Sequence, residues 1–193
     1  ELLDRAIEFR EDRAGWLLWL LPLGAAGIGA AYQRFGGRAA RGTSLVIEQL
    51  HEPGVPLPRR MAPLVLVGTV AAHLFGASVG REGTALQMSA GLADNAARLL
   101  RIKGVTRREL LVAAVAGGFG AVFGVPVAGA VFALEVQSIG RVRFEAVLAS
   151  FTAAFAGDRV VRFLGHEHAV RDAVSLEVDT WLVLRVAVAG LAF

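Results

Sequence analysis

Three stretches of this sequence carry no charge for 20, 20 and 25 residues: 14–33, 61–80, which holds a single histidine, and 110–134. A helix needs about 20 mostly apolar residues to cross ~30 Å of hydrocarbon, so each run reaches spanning length. Composition agrees, with 55% hydrophobic and 19% charged residues against about 45–50% and 25% in soluble domains. Mean hydropathy is +0.55. Shorter apolar pieces at 83–93, 146–157 and 173–193 are cut short by Glu, Asp or Arg. They predict short, tilted or re-entrant helices that face protein rather than lipid. The fold class expected is an all-α, polytopic membrane protein of about six to eight helical pieces, with residues 1–193 forming one transmembrane domain.

The remaining composition excludes other classes. There is no cysteine, so neither disulfides nor thiolate metal sites are available. Net charge is +3, but the arginines are scattered between apolar segments and form no basic, aromatic-studded face for nucleic acid. They suit positive loops beside membrane helices. The chain starts at Glu1 and stops within an apolar run at Phe193, so it reads as a piece of something longer. The charged opening "ELLDRAIEFREDR" resembles no cleavable signal.

Along the chain, the first span has aromatic ends and small residues for close helix contact (Gly24, Gly27, Gly29). A glycine-rich break should follow, then a short helix over 43–50 with Thr43 and Ser44 as N-caps and Glu48 further along it. "RLLRIKGVTRREL" predicts a solvated or headgroup-level loop, with Asp94 and Asn95 at the polar end of the helix before it. "GGFGAVFGVP" should break 110–134 into two helices meeting at 117–126, because Pro126 and its neighbouring glycines interrupt a helix. Further helices are expected at 144–164 and from about 178.

The segment that defies the pattern is "GASVGREGTALQMSAGLA", where Arg81 and Glu82 stand between two apolar runs. A helix starting at Glu82 gives the carboxylate a reason to be there. The first four N–H groups of a helix have no intrahelical partner, and the aligned peptide dipoles place about half a positive charge at that end. Gly80 and Gly83 leave the backbone uncovered, so a small anion could reach the N–H groups of Gly83, Thr84 and Ala85. Transporters use broken helices in this way at mid-membrane. A carboxylate on the same turn would compete with the mobile anion when ionised and release the site when protonated. The plainer alternative is an ordinary capped helix start in a loop. The hydroxyls of Thr43 and Ser44 could form a second donor set facing the first.

These residues resemble the CLC family of anion channels and transporters. "GREGTALQM" at 80–88 is similar to its G-R-E-G-P-x-x-Q signature, and "GGFGAVFGVPVAGAVFALE" at 117–135 is similar to the segment that follows. "GTSLVIEQL" at 42–50 sits where the family carries G-S-G-I-P-E-I-E. The resemblance implies the first half of an inverted repeat, a halide transporter and not an enzyme, and a homodimer in a cell (inner) membrane, crossed several times and in contact with lipid. It implies that Glu82 is the gating residue, with Gly80, Arg81, Gly83 and Gln87 as its motif neighbours. The family's central serine would fall on Thr43 or Ser44, and Glu48 and Glu135 match two of its glutamates.

Three departures stand out: Thr84 for the signature proline, the loss of G-S-G-I-P, and Val136 where exchangers carry an internal proton-transfer glutamate. Together they look like the fluoride-exporting branch, which couples to protons through the gating residue. Halide (fluoride or chloride) and protons are the implied partners, with no cofactor and no metal. A passive chloride channel of the same family is the alternative. The family's anion-coordinating phenylalanine and tyrosine belong to its second half, so this stretch alone should not conduct. A remote reading takes "GASVG" at 76–80 as a nucleophile motif, Ser78 with His73 as base, in an intramembrane serine protease, but His73 should point away from Ser78 on a helix. His166, Glu167 and His168 lack the spacing that puts two ligands on one helix face.

Overall fold

The computed structural model describes residues 2–51, 54–137, 144–165 and 180–192. Among these, all regular structure is helical. The α-helices are α1 (Leu2–Arg13), α2 (Leu21–Ala31), α3 (Thr43–His51), α4 (Met61–Leu74), α5 (Glu82–Leu99), α6 (Gly104–Phe123), α7 (Pro126–Gln137), α8 (Val147–Phe163) and α9 (Thr180–Ala192). The His166–His168 turn lies outside the described residues.

The three charge-free runs divide differently from the expectation. Among the described residues, one succession of helical turns, Gly15–His51, is long and apolar enough to cross a membrane. The predicted glycine-rich break lies inside it, at Gly37 and Gly42, where φ is positive and the helical course is interrupted. A 3₁₀ stretch Gly15–Leu20, α2, a π-helical turn Tyr32–Gly36 and a second 3₁₀ turn Gly37–Arg41 lead into α3, with the bends absorbed at Gly37 (φ +50°) and Gly42 (φ +57°). Glycine serves here because φ > 0 costs it nothing. The second run yields only the 14 residues of α4, about 21 Å at 1.5 Å per residue, before the chain leaves the helix. The third run is shared by α6 and α7, which part at Gly124 in the left-handed region (φ +66°) just before Pro126 opens α7. That break lies inside the expected window.

Helices α5, α6, α7 and α8 pack on one another through small residues. A methyl group built at Gly120 would lie 2.5 Å from the Ala154 carbonyl oxygen, and one at Gly157 would lie 2.5 Å from that of Gly117. The α6 and α8 backbones therefore touch, the kind of contact that dispersion forces favour where lipid competes for apolar surface. The core gathers Leu45, Val46 and Leu50 of α3 with Met61, Leu86, Leu111, Val112 and Val115. Large apolar side chains also point outward, among them Trp19, Leu148 and Phe163, which suits a lipid surround.

Candidate functional site

The structure brings the starts of α3 and α5 together. Gln87, one turn into α5, donates its Nε2–H to the Thr43 hydroxyl at 3.1 Å. Gly83 makes that approach possible, since a Cβ there would lie 3.3 Å from Thr43 Oγ1 and 3.5 Å from Gln87 Nε2. Gly42 packs beside the same amide, which a Cβ built there would meet at 3.6 Å. Two helix tips, each with partial positive charge, thus lie side by side.

Glu82 is the first residue of α5 and is exposed. Its carboxylate folds back against Gly80 and fills the space a side chain at that position would need. The open donors sit one residue earlier than expected. The Ala85 N–H is already bonded to the Arg81 carbonyl at 2.9 Å, which makes it the first satisfied amide of the helix. Glu82, Gly83 and Thr84 precede it, and their N–H groups are the ones helix geometry leaves unpaired. The Thr84 hydroxyl meets Thr69 Oγ1 of α4 at 2.8 Å, so its side chain turns towards α4 while its N–H stays at the tip. Arg81 reaches the Asp4 carboxylate at 3.1 Å and ties the tip to α1.

The remaining expected residues are dispersed. Ser44 is exposed at the start of α3. The helix begins on Gly42, whose carbonyl accepts the Leu45 N–H at 3.1 Å. Thr43 therefore stands within the first turn and binds Gln87 with its hydroxyl rather than serving as an N-cap. Glu48 pairs with Arg41 at 2.5 Å on the surface. Glu135 is exposed at the far end of α7, and Val136 beside it packs against the core. Ser78 lies in the non-helical segment after α4, with no strand–turn–helix around it among the described residues. The His73 Nδ1 is engaged with the Thr69 carbonyl at 2.8 Å.

Sequence reasoning missed the charge centre at the other end of α5. Asp94 is 0% exposed; it accepts from Leu57 N–H at 2.7 Å, from Arg107 Nε at 2.5 Å and from Arg98 Nη2 at 3.1 Å. Arg107 and Arg108, expected in a solvated loop, are buried in the first turns of α6. The i, i+4 pair Asp94–Arg98, followed by Arg107 just inside the next helix, was the available signal.

The family model described as voltage gated chloride channel matches residues 24–193. The chain belongs to this family. A chloride/fluoride channel protein of Pseudomonas syringae pv. tomato is 44% identical over 193 residues, 99% of this chain and 42% of that protein. An H(+)/Cl(-) exchange transporter ClcA of Vibrio cholerae serotype O1 is 33% identical over 113 residues, 58% of this chain and 24% of that one. In three dimensions the chain is similar to a crystal structure of a CLC-type fluoride/proton antiporter, with a TM-score of 0.83 and 32% identity over 99% of this chain and 48% of that one. The chain thus spans less than half the length of these relatives, and it shares the all-α CLC fold. Its relatives are membrane channels and transporters rather than enzymes.

Proposed function

We propose that in the complete protein this chain builds one half of a halide pathway, with the starts of α3 and α5 along it and Glu82 as its gate. The observation that carries the proposal is the Gln87–Thr43 hydrogen bond, which holds two helix tips together beside the one carboxylate at the head of α5. An ionised Glu82 competes with a mobile anion for the N–H groups of Gly83 and Thr84. A protonated Glu82 leaves them free, so one residue couples anion passage to a proton.

Fluoride is the favoured substrate, exchanged against protons. Fluoride is a small, strong acceptor whose dehydration needs close N–H donors, and Thr84 supplies one that a proline at that position would lack. Val136 has no proton to carry, which leaves proton transfer to Glu82 itself. The relative named a chloride/fluoride channel and the solved fluoride/proton antiporter support the same choice. The setting is the inner membrane, crossed several times, and the assembly is a homodimer with α7 and α8 contributing to its contact. The test is efflux from vesicles carrying the full-length protein and loaded with fluoride or chloride. Fluoride should leave faster and drive proton uptake. Equal rates would sink the fluoride preference, and anion movement without protons would favour a passive channel.

A further inference from the structure

We propose that the basic cavity at the junction of α5 and α6 holds the phosphate headgroup of an anionic phospholipid. The cavity measures about 340 Å³, and its lining includes Arg98, Arg101, Lys103, Arg107, Gly54 and Gly104. Asp94 is the carboxylate paired with these cations among the described residues, through Arg98 and Arg107. Among the described residues, four cations against one carboxylate leave a surplus of three positive charges. Arg107 is 6% exposed and held at Nε by Asp94, and its Nη atoms have only long contacts, 3.4 and 3.5 Å, to Gln49 Oε1. The wall is therefore a fixed guanidinium rather than a flexible surface side chain.

Two further features belong to the same pocket. Lys103 precedes α6 in an extended conformation and supplies no side-chain cap, so the amides of the first turn of α6 add donors to the cation cluster. Arg101 occupies the left-handed region at φ +57°. It follows the last turn of α5, where the Ile102 N–H closes back onto the Ala97 carbonyl at 2.8 Å. Glycine is the usual residue at that position because it adopts the conformation without strain. An arginine there accepts strain and adds a cation to the lining of the cavity.

The surroundings favour a lipid over a free phosphate. Leu99 and Leu100 at the end of α5 are 84% and 67% exposed, and Val55 and Val105, chain neighbours of the lining residues Gly54 and Gly104, are 65% and 59% exposed. A charged recess edged by outward-facing apolar side chains fits a molecule with an anionic head and acyl chains, as basic residues at a membrane surface do.

The test is native mass spectrometry of the full-length protein titrated with phosphatidylglycerol, with phosphatidylcholine, and with inorganic phosphate as competitor. Phosphatidylglycerol should bind in preference to phosphatidylcholine. The double variant Arg101→Gly with Lys103→Gln should lose that preference by about thirtyfold. Glycine suits the left-handed position, so this variant keeps the end of α5 intact. Equal binding of the two lipids, or a preference unchanged in the variant, overturns the proposal. Displacement of the lipid by phosphate at matched concentration would assign the site to a soluble anion and overturn it as well.

Discussion

Gln87 hydrogen-bonds Thr43 across 44 residues of sequence, at 3.1 Å, and this contact bridges the two helix tips. A net hydrogen bond contributes about 1 kcal/mol. Gln87→Leu and Thr43→Val should each slow anion flux by the full-length protein several-fold. The double variant should be no slower than the worse single one, with a coupling of about 1 kcal/mol in a double-mutant cycle. Additive effects would mean that the two residues act separately.

Asp94 stabilises the opposite end of α5. Asp94→Asn leaves Arg107 buried at 6% exposure without a counter-ion, a change that costs about 3–5 kcal/mol. Thermal challenge followed by size-exclusion chromatography should show a large loss of folded full-length protein. An unaltered profile would mean that water, rather than Asp94, satisfies Arg107.

Much of this architecture is legible in the sequence because it rests on local chemistry. The start of α5 follows from two glycines flanking a charged pair in an apolar setting, and the α6–α7 break follows from Gly124 and Pro126. What escapes is non-local. Asp94 reads as a polar helix end until α6 folds back and delivers Arg107 to it. The stretch 34–42 reads as a break because glycines usually end helices. The break is there, at Gly37 and Gly42 with φ > 0, but the π and 3₁₀ turns around them that lead into α3 are changes of pitch that no local residue preference announces. The shift of the donor set from Ala85 to the residues before it likewise depends on which residue closes the first helical bond.

Thr84 separates anion choice from gating. Thr84→Pro removes one N–H at the tip, and proline is tolerated in a first turn. Fluoride efflux should fall roughly tenfold relative to chloride, in line with a hydrogen bond to a charged group. Thr69→Val removes the hydroxyl partner at 2.8 Å but keeps the Thr84 N–H, and should change the ratio far less. Equal effects from both would place the selectivity in the hydroxyl pair instead.

The most direct measurement records fluoride efflux and proton uptake together in liposomes carrying full-length Glu82→Gln. The account predicts that proton uptake driven by fluoride disappears, because glutamine neither ionises nor releases the N–H groups of Gly83 and Thr84 on protonation. Proton-coupled fluoride movement at the unsubstituted rate would contradict it.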